Sequence, residues 1–133
     1  MALQLIHFSD CGAERPTNQD SYCVRACMTD EGLVAMLAIC DGMGGMNCGE
    51  VASATVVRGL EGWFDANAES YVRCGSLTPT RIAEDWGDLT RERHETLCAY
   101  AKSRGIRMGT TLSVILLTQG FYALMHVGDS RIY

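Results

Sequence analysis

Three aspartates stand where apolar segments end or in a polar loop, and their surroundings suggest metal-assisted chemistry. Asp41 follows the apolar run LVAMLAIC and begins Asp-Gly-Met-Gly-Gly, Asp20 lies in the loop ERPTNQD, and Asp129 follows FYALMHVG. A carboxylate at the edge of a core needs a proton, a cation or backbone N–H groups to balance its desolvation. Carboxylate and carbonyl oxygens favour hard cations such as Mg²⁺ or Mn²⁺.

The glycine-rich stretch DGMGGMNCGE does not fit three familiar phosphate or ion motifs. A Walker A loop needs lysine where Glu50 stands, and a dinucleotide fingerprint is broken at Asn47. An EF-hand loop starting at the same aspartate needs glycine where Met46 stands. What is left is a carboxylate followed by a turn in which Gly42 lets a backbone carbonyl approach a cation. An ordinary Asp-Gly turn gives the same pattern, so that alternative stays open at this point.

A loop arginine extends the pattern from cations to anions. Arg15 stands five residues before Asp20, and a guanidinium can hold two phosphate oxygens at once. Three carboxylates and one guanidinium can together place cations between the acids and a phosphate against the arginine. The combination favours phosphate chemistry over a generic metal-binding α+β protein, which would have no need of phosphate recognition by Arg15.

The elements that must position these residues read as mixed α and β structure on an antiparallel sheet. Apolar and alternating patterns predict three strands, over residues 3–10, over SYCVRACM and over GLVAMLAIC, which ends at Asp41. They also predict a hairpin in which TLSVILLT and FYALMHVGD are joined by Gln119-Gly120. The last residues, SRIY, are expected to continue a strand. Helical spacing predicts a first helix over EVASATVVRGLEGWFDANAE, a connector over 66–79 and a second helix over about 80–104. The second helix is expected to have Thr78 or Thr80 as its N-cap and Gly105 as its C-cap. The second helix is expected to turn inward Ile82, Trp86, Leu89, His94, Leu97 and Ala101.

Length and composition predict one globular domain over residues 1–133. The 47% hydrophobic content is typical of a soluble protein, and the net charge of −5 gives no reason to expect nucleic acid or a membrane surface as partner. No apolar run approaches the ~20 residues of a membrane span, and MALQLIHFSD lacks the basic start of a signal peptide. We therefore expect a cytoplasmic protein. Its seven cysteines include no CxxC pair, so we expect reduced, mostly buried thiols and no structural zinc. Because two cations can activate water directly, no side-chain nucleophile is required, and we also expect no cysteine nucleophile.

Four motifs in register resemble the metal-dependent protein phosphatase family, type 2C, in its bacterial form. They are Arg15-Pro-Thr-Asn-Gln-Asp20, Asp41-Gly-Met-Gly-Gly with Gly49-Glu50-x-Ala-Ser53, Met108-Gly-Thr-Thr-Leu112, and Val127-Gly-Asp-Ser-Arg131. The resemblance implies an α+β fold of two antiparallel sheets packed as a sandwich, with flanking antiparallel helices. It also implies hydrolysis of phosphoserine or phosphothreonine by water activated between two Mn²⁺ or Mg²⁺ ions. The expected partners are phosphorylated proteins, targets of a serine/threonine kinase.

The resemblance also implies a role for each matching residue. Asp41 matches the aspartate that bridges both metals, and Gly42 matches the residue whose carbonyl binds one of them. Asp20 matches an acid beside the metals that acts through bound water. Arg15 matches the arginine that holds the phosphate, so Asp41 and Arg15 are the expected catalytic residues. Asp129 matches an aspartate at a third, weaker metal site.

Other residues of the motifs are expected to be structural. Glu50 and Ser53 are interpreted as helix-start and packing residues, and 109–111 as the start of a strand near the cleft. The histidines at 7, 94 and 126 lie in apolar patterns and are also interpreted as structural.

The family domain is roughly twice as long as this chain, and its C-terminal part brings two further metal-binding aspartates. We therefore expect residues 1–133 to be the N-terminal part of such a domain, with little or no activity alone. The alternative is a non-catalytic, phosphatase-like binding or regulatory module. The three motif aspartates argue against this alternative, and the missing ligands argue for it.

Overall fold

The computed structural model describes residues 3–13, 17–45 and 48–133, which form an antiparallel sheet and two long helices. In chain order the elements are β1 (Asp20–Thr29), β2 (Gly32–Gly44), α1 (Cys48–Arg73), α2 (Pro79–Arg104), β3 (Met108–Thr110), β4 (Leu112–Leu117) and β5 (Tyr122–Val127). The strand order is β1-β2-β4-β5, and β3 pairs with the end of β2. The predicted mixture of α structure with antiparallel strands is confirmed.

Strands β1 and β2 form a long hairpin whose register runs from Thr29 opposite Gly32 to Asp20 opposite Asp41. One face of the hairpin is buried against the helices, and the other is partly exposed. Strand β2 continues three residues past its predicted end, because 42–44 pair with β3. Asp41 therefore lies inside a strand, not at its end.

Helix α1 lies against β1, β2 and β3, and α2 lies mainly against α1. The buried stripe of α1 repeats every three or four residues and includes Val56, Leu60, Phe64, Ala68 and Val72. Because this stripe continues to Val72, the helix extends to Arg73, and the connector predicted from residue 66 is wrong at its start. No helix in the described ranges has the length and apolar character needed to cross a bilayer.

The ends of α2 follow the predicted capping chemistry. The Thr78 side chain accepts a hydrogen bond from the Arg81 N–H at 3.2 Å, and Pro79 occupies the first turn. Gly105 ends the helix in the left-handed conformation, with φ of 64°, which glycine adopts without a Cβ clash. Of the predicted inner stripe, Trp86 is buried, but His94 is exposed because it borders an open groove between α2 and β3.

Asp85 ties the two helices together. Its Oδ2 accepts hydrogen bonds from Trp63 Nε1 at 2.9 Å and from the Tyr71 hydroxyl at 2.8 Å. Its Oδ1 lies 3.2 Å from Arg81 Nε. The rings of Trp63 and Trp86 meet edge-on, with centroids 5.6 Å apart, an arrangement that aromatic pairs favour. Both tryptophans are buried, which confirms the predicted inward position of Trp86.

Two of the predicted strands are wrong. Residues 3–10 form no strand; instead 5–9 lie over the outward face of β1 and β2, where the His7 ring is 4.5 Å from the Tyr22 ring. A strand needs a neighbouring edge to pair with, and this segment covers a face. Residues 130–133 also form no strand, because Gly128, with φ of 113°, turns the chain away from β5.

No disulfide joins any of the seven cysteines, all of which lie in the described part of the chain, but the expectation that most are buried is wrong. Only Cys23 and Cys40 are buried, whereas Cys11, Cys74 and Cys98 are exposed because they lie in a loop, at a helix end and along the open groove between α2 and β3. Burial raises the pKa of Cys23 to about 11 and that of Cys40 to about 12. Both thiols therefore stay protonated well above neutral pH.

We predict that iodoacetamide at about pH 8 modifies the exposed Cys98 in the native protein but not Cys40, because Cys40 is buried and its raised pKa leaves almost no thiolate, the reactive form. Raising the pH by one unit should still leave Cys40 protected, since its pKa of about 12 lies above the solution pH. Peptide mass spectrometry measures both rates, and denaturation in urea should remove the difference. Equal modification of the two residues in the native protein would contradict the packing described.

Candidate active site

Asp20 and Asp41 lie directly opposite each other at the open end of the β1–β2 hairpin. They are partners in the antiparallel register, so their side chains share one face, with Cβ atoms about 4.5–5.5 Å apart. Asp20 is exposed and Asp41 is half-buried. The structure thus brings together two of the predicted metal residues from separate motifs.

The pairing of two acids has an electrostatic consequence. Like charges directly opposite each other in a sheet repel. Among the ion pairs formed within residues 3–13, 17–45 and 48–133, none involves Asp41. A divalent cation between the two carboxylates would replace the repulsion with ligation, and an all-oxygen donor set suits a hard ion. The residues present therefore fit Mg²⁺ or Mn²⁺.

The peptide groups of Asp41 are held by two threonines that follow α2. The Asp41 N–H donates to Thr111 Oγ1 at 2.9 Å. The Asp41 carbonyl accepts from the Thr111 N–H at 2.9 Å and from the Thr110 hydroxyl at 3.0 Å. Residues 109–111 do lie beside the site, as predicted, but the role of their hydroxyl groups was not predicted. A Gly-Thr-Thr run before an apolar strand is the sequence signal that could have indicated it.

Gly42 is buried where the first turn of α1 crosses β2. Its N–H donates to the Gln19 carbonyl at 3.1 Å. A Cβ at this position would overlap the Gly49 carbonyl oxygen and lie 2.5 Å from the Gln19 carbonyl oxygen. Close backbone packing therefore requires glycine here, a reason beyond the carbonyl access inferred from the sequence.

A buried serine fixes the chain just before Asp20. The Ser53 hydroxyl, fully buried, donates to the Gln19 carbonyl at 2.7 Å and lies 2.9 Å from Ser21 Oγ. The Gln19 side chain in turn donates to the Gly44 carbonyl at 3.1 Å. These bonds join helix α1, the start of β1 and the glycine-rich turn, so Ser53 acts as the packing residue that the sequence suggested.

Of the two remaining predicted site residues, the structure describes Asp129 but not Arg15. Asp129 is exposed in the turn after β5. Within the part of the chain that the structure describes, no three His, Cys, Asp or Glu side chains form a group that could hold a metal, so Asp129 does not join Asp20 and Asp41 in such a cluster. Arg15 lies outside the described residues.

Cys98 and Arg104 share the Cys-x₅-Arg spacing that cysteine-dependent phosphatases use. Both residues belong to helix α2. Six residues along a helix correspond to a rise of about 9 Å and a rotation to a different face. These two side chains therefore cannot enclose one phosphate, so the Cys-x₅-Arg spacing in α2 does not form the phosphate-binding loop of a cysteine-dependent phosphatase.

Comparisons with known proteins point to one family. The family described as protein phosphatase 2C matches residues 12–133. Serine/threonine protein phosphatase PstP of Mycobacterium tuberculosis is 33% identical over 94% of this chain and 21% of its own length. Protein phosphatase PhpP of Streptococcus pneumoniae is 28% identical over 98% of this chain and 49% of its own length.

Solved structures agree with the sequence comparisons. The catalytic domain of PstP in complex with two manganese ions superposes with a TM-score of 0.70 and 32% identity, over 93% of this chain and 47% of that one. The predicted fold class is therefore confirmed. The described residues contain one sheet of this fold and two of its helices. The chain thus spans about a fifth of PstP and about half of PhpP.

We predict that Gly42→Ala destabilises the protein in metal-free buffer by about 1–3 kcal/mol, because overpacking a tight contact forces backbone shifts. Gly45→Ala is the matched control, since a Cβ there would meet nothing within 4 Å. Urea unfolding followed by circular dichroism gives both values. Equal midpoints for the two variants would show that α1 does not cross β2 as closely as described.

Proposed function

The chain belongs to the protein phosphatase 2C family, and from this we propose that it forms the N-terminal part of a metal-dependent protein serine/threonine phosphatase. The register that places Asp20 opposite Asp41 is the observation that carries the proposal. These acids come from two of the motifs on which the family resemblance depends, and they occupy one face at one end of a hairpin. PstP and PhpP, which the chain resembles, are both named as protein phosphatases.

The proposed cofactors are two Mn²⁺ or Mg²⁺ ions, with a third at a weaker site. Asp41 and the Gly42 carbonyl would hold the pair, Asp20 would act beside them through water, and Asp129 would serve the third site. PstP is a relative whose catalytic domain binds two manganese ions. Such cations supply an activated water and stabilise charge on phosphoryl oxygens.

The chain's own residues would then bind and orient the substrate. Arg15 would hold two phosphate oxygens through its guanidinium, which fixes the direction from which the ester is approached. Asp41 is suited to an unmoving position because its N–H and C=O are both bonded to Thr111. With water as the attacking group, no serine or cysteine nucleophile is required. The substrates would be phosphorylated proteins, targets of a serine/threonine kinase, in the cytoplasm.

The number of ligands limits what residues 1–133 can do alone. Two carboxylates and one carbonyl are few for a pair of ions that each take about six oxygen ligands. The absence of a larger acidic cluster in the described ranges is the observation that favours the second candidate, a non-catalytic phosphatase-like module. On the first proposal, the 133-residue polypeptide binds Mn²⁺ weakly and hydrolyses phosphate esters slowly or not at all.

We predict that Asp41→Asn in the full-length protein lowers Mn²⁺-dependent hydrolysis of a phosphothreonine peptide by at least about a hundredfold. Loss of a residue that only supports a ligand already costs about 10–100-fold, and Asp41 is proposed as a ligand itself. Asp30→Asn is the matched control, because Asp30 lies in the turn at the other end of the same hairpin. The control should keep its activity.

Calorimetry with Mn²⁺ separates the two candidates. Heat of binding that disappears in Asp41→Asn and persists in Asp30→Asn supports the phosphatase. A full-length protein that neither binds Mn²⁺ nor hydrolyses p-nitrophenyl phosphate would support the non-catalytic module and contradict the phosphatase.

A further inference from the structure

One side chain joins the backbone of Asp41 to the turn that carries Asp129. We propose that Thr111 is a positioning residue that fixes these two aspartates relative to each other, through a pair of hydrogen bonds called here the Thr111 link. The link consists of the bond from the Asp41 N–H to Thr111 Oγ1 and the bond between Thr111 Oγ1 and Ser130 Oγ. The inference rests on the proposed function, because it assigns both aspartates to metals.

A backbone hydrogen bond between the same two residues reinforces the Asp41 end of the link. Thr111 accepts from the Asp41 N–H at 2.9 Å through its hydroxyl and donates to the Asp41 carbonyl at 2.9 Å through its own N–H. Two bonds between the same two residues fix distance and orientation together. Thr111 is only 2% exposed, so water cannot easily replace its hydroxyl as the acceptor.

On the turn side, Thr111 Oγ1 lies 3.0 Å from Ser130 Oγ, and either hydroxyl can be the donor. The residue on the other side of Asp129 is anchored separately: His126 Nε2 donates to the Gly128 carbonyl at 2.9 Å, and Ser113 Oγ lies 2.9 Å from His126 Nδ1. Because a carbonyl can only accept, Nε2 carries the proton, and in neutral His126 Nδ1 accepts from the serine. Asp129 therefore lies between two residues that are both tied to the β4 side of the sheet.

Packing strengthens the same connection. Gly128 adopts φ of 113°, and a Cβ there would lie 2.8 Å from Thr111 Cγ2. The turn thus lies directly against the threonine methyl group while Ser130 reaches the hydroxyl. Thr111 contacts the turn through both its hydroxyl and its methyl group, and a substitution can remove either group alone.

A link of this kind matters for the proposed metals because ligand groups must keep a fixed geometry. Movement of the Gly128–Ser130 turn would be transmitted to the Asp41 peptide through Thr111, and the reverse also holds. Thr111 touches neither substrate nor metal in this proposal; it acts through the residues that do.

Two variants separate the hydroxyl from the methyl group. Thr111→Val keeps the shape and removes the link, whereas Thr111→Ser keeps the hydroxyl and removes the methyl. In the metal-free full-length protein, amide hydrogen exchange by NMR should show Asp41 exchanging about fivefold faster in Thr111→Val, the effect of about one net hydrogen bond. Thr111→Ser should restore most of the protection. Ser113→Ala, which disturbs only the other anchor of the turn, should leave Asp41 unchanged.

Coupling is tested with Ser130→Ala. This substitution should speed exchange at Asp41 in the natural background and add nothing in Thr111→Val. In calorimetry, Thr111→Val should weaken Mn²⁺ binding by about tenfold or more, as loss of an outer-shell partner does, and Thr111→Ser should bind as the unsubstituted protein does.

The outcomes are distinct. Unchanged Asp41 exchange in Thr111→Val, or equal damage in Thr111→Ser, would overturn the inference, as would equal Mn²⁺ affinity in all variants. Failure of the unsubstituted protein to bind Mn²⁺ would overturn the proposed function instead. In that case amide exchange, which needs no metal, still tests the Thr111 link.

Discussion

The register of the β1–β2 hairpin is the constraint on which the candidate site depends. A shift of one residue would move Asp20 away from Asp41 and turn alternate side chains to the opposite face. Such a shift would also expose Met36 and Cys40, which are fully buried against the helices in the observed register. The cost of exposing these side chains therefore maintains the pairing of the two acids. The apolar packing of the hairpin and the chemistry of its open end are set by the same alignment.

Buried hydroxyl groups fix the local backbone geometry around the two acids that the strand register brings together. Ser53 holds the chain before Asp20, and Thr110 and Thr111 hold the backbone of Asp41. The Thr111 hydroxyl takes the place of a backbone acceptor for the Asp41 N–H, whereas the Ser53 and Thr110 hydroxyls each add a second bond to a carbonyl that already accepts a backbone N–H. Buried polar groups that are fully bonded give rigidity, while unbonded ones are costly. The polar residues of the motifs thus act on the site mostly through the backbone, and the acids themselves face outward.

Most of the architecture was predictable because the relevant signals are local. Thr78 and Gly105 cap α2 as their side chains require, and Gln119-Gly120 closes a hairpin between two apolar runs. The failures concern partners distant in sequence. Residues 3–10 have a strand-like pattern but form no strand, and 5–9 lie over a face of the sheet. Strand β2 continues past Asp41 only because β3, more than sixty residues later, pairs with it. The pairing of Asp20 with Asp41 could be expected from the hairpin and the family resemblance. The role of Thr111 and the close contact between Gly42 and Gly49 could not be expected, because both depend on contacts between elements that are separate in sequence.

The most direct test of the central claim is to map where Mn²⁺ binds, using paramagnetic broadening of amide signals in the ¹⁵N-labelled protein. Trace Mn²⁺ should first broaden the amides of Asp20, Asp41 and Gly42. Asp30, at the far end of a hairpin about 30 Å long at ~3.3 Å per residue, should keep a sharp signal. Broadening centred on the hairpin turn, or spread evenly over the exposed carboxylates, would contradict a metal centre at the paired aspartates.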